Sequence, residues 1–226
     1  MAYRVAVLAS GRGSNLQALL RQTEAGNVAA TVTMVVSDKP EAGALALAHA
    51  HRVPAVVALP PEPGEKRAAF DARLLDALRS EAPDLVVLAG YMRLVGAGIT
   101  SAFRDRIVNI HPSLLPSFRG LQGVQQAQAA GVRIAGCTTH VVTDDLDGGP
   151  IVLQAALATR SGEPLEGLQR RVLALEHLLL PRTVDLFARG EARVEDGRVR
   201  LSPSASWLDG PARYGLVGGA LYGEGF

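Results

Sequence analysis

The sequence predicts an α/β fold built on an open, mostly parallel, doubly wound sheet, extended by antiparallel strands and followed by a long C-terminal helix. Three observations predict it. Short apolar runs rich in β-branched residues recur as RVAVLA (4–9), TVTMVV (31–36), VPAVV (53–57), DLVVLAG (84–90) and RIVNI (106–110). They are continuous rather than alternating, the pattern of strands buried on both faces. Helical stretches separate them, and strands alternating with helices form right-handed β-α-β units in a parallel sheet. Beyond residue 130 the alternation stops, because GVRIAGCTTHVVT and GPIVLQAALAT follow one another with no helix between them. That is the antiparallel extension of a Rossmann-like sheet.

The elements follow in order. After the first strand, Leu16, Leu19 and Leu20 share one face of a helix over 14–25 that Gly26 ends. Ser14 and Gln17 have capping-box spacing, so the helix is expected to start at Ser14. Phe70, Leu74 and Leu78 stand at i, i+4 and i+8 and predict a helix over 65–80. The long helix begins near Glu163-Pro164, with Leu168, Val172, Leu175 and Leu179 as its stripe, and Pro181 is expected to kink or end it. ARVEDGRVRL is a hairpin turning at Asp196-Gly197. Residues 1–209 are expected to form a single domain. The glycine-rich stretch 210–226 has no periodicity and is expected to be a flexible tail.

Composition narrows the function classes. A chain of 226 residues with 48% hydrophobic content can bury a large core. A net charge of +1 with scattered arginines marks no basic patch, which argues against nucleic acid or an anionic membrane as a partner. The single cysteine, Cys137, cannot form an internal disulfide and sits in an apolar run, as a buried core residue would. No apolar run reaches the ~18 residues of a membrane span, and the apolar start is too short for a secretory signal. The expectation is a cytoplasmic protein acting on small molecules, as a monomer or homodimer.

In open α/β sheets ligands bind beyond the carboxyl ends of the strands, and the polar signals cluster there. The loop SGRGSNLQAL (10–19) places Gly11 and Gly13 before a helix start, a site for a phosphate. A dinucleotide would be an alternative, with Asp38 as its ribose acid. However, the third small residue of that fingerprint falls on Leu16, which disfavours it. On the last parallel strand, Asn109 and His111 are two apart and face the same way, just before Pro112. Downstream, Asp147 in DLDGGPI (145–151) is either an ordinary turn residue or a carboxylate that fixes and charges the imidazole. Asp144, Asp145 and Asp147 lack the spacing of a metal site, so no metal is expected. His49, His51, His140 and His177 read as structural. The chain shows no nucleophile elbow, Cys–His spacing or Walker lysine. An amide, an imidazole and an acid instead suit direct group transfer, with the amide donating to an oxyanion and the imidazole handling protons.

Taken together, SGRGSNLQAL, LAGYMRLV (88–95), NIHPSLLP (109–116) and DLDGGPI have the order and spacing of the phosphoribosylglycinamide formyltransferase family, which the chain resembles from about Tyr3 to Trp207. The resemblance implies transfer of a formyl group from 10-formyltetrahydrofolate, as co-substrate, to the amine of glycinamide ribonucleotide in purine biosynthesis. It implies that Asn109, His111 and Asp147 are catalytic. Gly13, Ser14, Asn15, Leu16 and Gln17 would hold the ribonucleotide phosphate, and Glu176 the same substrate's ribose or glycinamide end. Met92, Arg93, Leu94 and Val95 would line the folate pocket together with Asn109, and Arg67 would meet the anionic tail. The resemblance also admits a formyltetrahydrofolate hydrolase, which passes the formyl group to water. Methionyl-tRNA formyltransferase would need a basic C-terminal domain that 191–226 cannot supply, and a nucleotide-binding regulator without catalysis would not need the Asn–His pair. The chain departs from the family at Gln122, where a histidine-containing stretch is expected.

Overall fold

A computed structural model describes residues 2–202 together with the strand backbones of 215–217 and 220–222. The chain divides into two compact units, Met1–Asn109 and Ile110–Phe226.

The first unit alternates strand and helix: β1 (Tyr3–Leu8), α1 (Ser14–Glu24), β2 (Ala30–Ser37), α2 (Gly43–Ala50), β3 (Ala55–Ala58), α3 (Arg67–Glu81), β4 (Leu85–Leu88) and α4 (Ala97–Ala102), leading into β5 (Ile107–His111). The strands are parallel in the order β3-β2-β1-β4-β5. Val5, Val7, Leu8, Val86 and Val87 are fully buried, as continuous apolar runs require. Phe70, Leu74 and Leu78 of α3 are buried as well, and each such side chain contributes about 1.5–3 kcal/mol relative to leaving it exposed. From β1 the chain winds outward through β2 and β3, then returns to place β4 on the other side of β1. This reversal opens a crevice beyond the carboxyl ends of β1 and β4.

Helix α1 starts at Ser14 as expected, but not through a capping box. Gly13 is the N-cap residue, at φ 81°, and no side chain caps the helix. Packing explains why glycine stands there, since a Cβ on Gly13 would lie 2.8 Å from the Cα of Ala44 at the start of α2. Gly11 has open space around it and is under no such constraint.

The second unit takes in the end of β5, then α5 (Gly123–Ala129), β6 (Ile134–Val141), β7 (Ile151–Ala158), α6 (Leu165–Ala188), β8 (Ala192–Glu195), β9 (Arg198–Leu201), β10 (Gly215–Val217) and β11 (Ala220–Tyr222). β6 and β7 are antiparallel, as the missing helix predicted. β8 and β9 form the expected hairpin, with Asp196 and Gly197 both at positive φ. Within the stretch read as a flexible tail, β10 and β11 pair with each other and β11 runs alongside β7. The rest of that stretch lies outside the described residues.

Pro181 does not end α6, which continues to Ala188. A proline inside a helix costs about 3 kcal/mol. Thr183, Val184, Asp185, Leu186 and Phe187 beyond it are all buried, and burying their apolar surface outweighs that cost. The Thr183 hydroxyl lies 2.7 Å from that of Thr139 in β6 and is 3.0 Å from the Leu179 carbonyl, tying the post-proline turn to the sheet. Cys137 is fully buried, and burial, followed by the charge of Glu176, pushes its thiol well above the ordinary range. Among the described residues no helix is long and apolar enough to cross a membrane.

Candidate active site

In the first unit the loops beyond β1 and β4 are stitched together. Ala89 N–H donates to Leu8 O (2.9 Å), Ser10 N–H to Gly90 O (3.1 Å) and Met92 N–H to Ser10 Oγ (2.9 Å). One lip of the crevice is the glycine loop. The Gly13 carbonyl accepts the Gln17 N–H at 2.8 Å, so the helix begins at once with its positive end at the loop, the kind of helix start that favours an anion. Asn15 and Leu16 are buried, Leu16 fully, so Leu16 can offer a ligand only its backbone.

The other lip is 91–96. Met92 and Leu94 are 60% and 56% exposed, unusual for apolar side chains beside a buried strand. Arg93, between them, folds back with its guanidinium 4.1 Å from the Phe70 ring centroid. This cation–π contact accounts for a charge directly after a buried strand. Arg67, the first residue of α3, donates from Nη2 to the Val95 carbonyl (3.3 Å) and keeps a half-exposed side chain.

β5 carries Asn109 and His111 two apart, hence on one face, with Asn109 half-buried and His111 buried. In the second unit His111 is held at both ring nitrogens. Nε2 lies 2.9 Å from the Phe118 carbonyl, which can only accept, so this nitrogen carries a proton. Nδ1 faces Asp147 Oδ2 at 3.5 Å. The same oxygen accepts the Gly120 N–H at 2.7 Å, while Oδ1 lies 3.6 Å from His140 Nε2. His140 Nδ1 is 3.1 Å from the Val141 carbonyl. Asp147 is therefore a carboxylate, its side chain 9% exposed, set between two buried imidazoles. Burial pushes its carboxyl upward, but hydrogen bonding from His140 and Gly120 and the charges of both imidazoles outweigh burial and leave it below the usual carboxylate range. Asp147 thus both sits in the turn, at positive φ, and faces His111.

The surrounding backbone explains the local sequence. Asp147 has φ 49°, and Phe118 and Gln122 have φ 58° and 62°, left-handed conformations that non-glycine residues rarely adopt. Side chains at Gly148 and Gly149 would collide with the Asp145 carboxylate and the Val141 carbonyl respectively, so DGGP is the shape that lets β7 start beside β6. The pairing slips by one residue between Thr139 and His140, leaving Val152 unmatched, a bulge that re-aims the end of the strand pair. Thr138 donates to the Ser113 carbonyl (2.7 Å) and accepts the Leu115 N–H (3.1 Å), and Ser113 Oγ donates to Ser117 O (2.7 Å). These bonds fix the loop that supplies Phe118 and Gly120. Gln122 acts through its backbone, its carbonyl accepting Gln126 N–H at the start of α5. A Cβ on Gly123 would lie 3.1 Å from the Pro112 carbonyl oxygen and 3.2 Å from Ser113 Cβ, with His111 Nε2 at 3.4 Å, so crowding by the 112–113 backbone and side chain favours a small residue here.

Sequence reasoning took His140 as structural, whereas the structure puts it on the far side of Asp147. The signal was available: like His111, it is a polar residue at a strand end, directly before the acidic loop. Glu176 on α6 is buried rather than on the surface. Among the described residues no group of three or more His, Cys, Asp or Glu side chains is arranged to hold a metal ion.

Residues 3–184 match the family described as formyl transferase. The chain is 40% identical to phosphoribosylglycinamide formyltransferase of Bacillus subtilis over 181 residues, 80% of this chain and 92% of that protein. The structure is similar to that of glycinamide ribonucleotide transformylase 1 from Symbiobacterium toebii, with a TM-score of 0.85 and 46% identity over 88% of this chain and 94% of that one. A formyltetrahydrofolate deformylase from Pseudomonas syringae is also similar, with a TM-score of 0.83 but only 27% identity, and it is matched over 66% of its length.

Proposed function

The chain belongs to the formyl transferase family, and on that premise we propose that it transfers the formyl group of 10-formyltetrahydrofolate to the primary amine of glycinamide ribonucleotide. The observation that carries this reading is the pairing of Asp147 with buried His111, on the strand that also presents Asn109. In this reading the amine nitrogen attacks the formyl carbon and the carbonyl oxygen becomes an oxyanion. The Asn109 amide donates to that oxygen, as donors aimed at developing charge do. The amine sheds a proton, the carbon–N10 bond of the folate breaks, and N10 takes a proton. His111 is the residue at hand to stabilise the oxyanion and handle that proton, and ionised Asp147 steadies the positive charge it acquires. No covalent enzyme intermediate is needed.

The glycine loop, Gly13 to Gln17, holds the phosphate through backbone N–H groups, and buried Glu176 meets the ribose or glycinamide end of the same substrate. Met92, Leu94 and Val95 form the folate wall, Arg93 stiffens it from Phe70, and Arg67 takes the anionic tail. Residues 1–209 act as one catalytic domain.

The rival reading is hydrolysis, in which water replaces the amine. The closer likeness to transformylases than to the deformylase favours transfer. Formyl release from 10-formyltetrahydrofolate, followed with and without glycinamide ribonucleotide, separates them. Transfer requires the ribonucleotide and yields its formylated product; release at the same rate without it would establish the hydrolase.

A further inference from the structure

One carboxylate beside the crevice is used by no step above. Asp71 stands one turn beyond Arg67 in α3, its side chain 15% exposed, with Oδ2 3.5 Å from Arg67 Nε. It also rests against the 92–96 segment, since a side chain on Gly96 would collide with its carboxylate. Arg67 reaches past it to the Val95 carbonyl, so one guanidinium bridges Asp71 and the wall. The second guanidinium, that of Arg93, lies on Phe70, the neighbour of Asp71, and its charge reaches the same carboxylate. Burial, the largest influence, nevertheless pushes the Asp71 carboxyl upward, against the pull of Arg67 and then Arg93. Two cations thus share one incompletely solvated anion. Helix α3 has no acid in its first turn and no side-chain cap; Glu65, just before it, is engaged by Arg73 and also feels the charge of Arg93, which leaves Asp71 as the carboxylate set against Arg67.

We infer that Asp71 is the specificity-determining residue of the anionic-tail subsite: it occupies Arg67 and cancels part of the positive charge, so that a ligand carboxylate must compete with it. The inference rests on the assignment of Arg67 to the folate tail. Asp71→Asn keeps the shape against Gly96 and removes the charge. Because Arg67 is half-exposed, the neighbouring charge acts through a water-like dielectric and alters affinity by on the order of three- to tenfold, and salt screens it.

The experiment measures initial rates for wild type, Asp71→Asn, Asp71→Ser and Arg67→Ala. Each is tested with 10-formyltetrahydrofolate bearing its glutamate and with the 10-formyltetrahydropteroate analogue that lacks it. Both Asp71 variants are expected to lower KM for the glutamate-bearing form three- to tenfold, with the change in KM rather than kcat. The analogue should show no such gain, and the gain should shrink at high salt. Arg67→Ala should raise KM for the glutamate-bearing form only. If Arg67→Ala leaves that KM unchanged, the tail assignment itself is wrong. If Arg67→Ala raises it while both Asp71 variants leave it unchanged or raise it, Asp71 is a strut for the wall and the inference is overturned. Asp71→Ser keeps the test open should Asp71→Asn fail to fold.

Discussion

The crevice loops of the first unit and the His–Asp–His group of the second are made by opposite means. The first relies on backbone and shape, with a glycine at positive φ, helix N–H groups and apolar side chains left in solvent. The second relies on side chains taken out of solvent, each imidazole held by a backbone carbonyl on one side and one carboxylate on the other. Exposed groups keep their water, so losing one contact costs little. A buried polar group keeps stability only while its partners stay, and removing one leaves the desolvation of the others uncompensated. Substitutions should therefore act steeply in the second region and gently in the first.

The largest effect should come from His111→Ala. It is expected to lower kcat by on the order of 10²–10⁴, the usual worth of a positioned proton carrier, while both substrates still bind. Single-turnover rates with near-normal chemistry would remove it from the mechanism. Asn109→Ala should cost on the order of 10²–10³ in kcat through loss of an oxyanion donor; a change confined to KM for the folate would make it a binding residue instead.

Asp147→Asn comes next and also tests the contrast through pH. The Asp147 carboxyl lies below its ordinary value in the folded protein, so its contribution to stability is fully present above about pH 4, where an unfolded aspartate titrates, and is lost as pH falls through the lower folded value. Urea midpoints measured between pH 6 and 3 should fall more for wild type than for Asp147→Asn, and the variant should transfer formyl more slowly at neutral pH. Equal acid sensitivity would mean that the carboxylate is not held by the imidazoles.

The smallest effects belong to the glycine loop. Gly13→Ala must place a Cβ at positive φ against Ala44 and should lose at least about 1 kcal/mol of stability, together with affinity for the ribonucleotide. Gly11→Ala meets open space and should stay within about 0.5 kcal/mol of wild type. Equal losses at both positions in urea titrations would overturn the packing account of Gly13.

Much of this was legible in the sequence for reasons that can be named. Continuous β-branched runs and the missing helix between β6 and β7 disclosed the sheet, because burial on both faces leaves no room for alternation. Asn109 and His111 were legible because strand geometry alone puts them on one face. His140 was not, because its role depends on a carboxylate seven residues later that turns back through a left-handed residue and a bulge. Sequence spacing carries neither feature. Capping by Gly13 was hidden for a similar reason: what demands glycine there is Ala44, about thirty positions away. The survival of α6 past Pro181 depends on tertiary burial, which overrides local propensity.

Asp147 at φ 49° has a consequence for what the chain can become. The backbone at that position suits glycine, asparagine and aspartate. The two imidazoles call for a carboxylate, which aspartate and glutamate can provide. The two requirements overlap in one amino acid of the twenty. The nearest exits, asparagine and glycine, fit the backbone at least as well. A lineage released from the need for this reaction would meet no backbone barrier on leaving aspartate, only the loss of the contacts its carboxylate makes, and its descendants would keep the shape of the loop after the charge had gone.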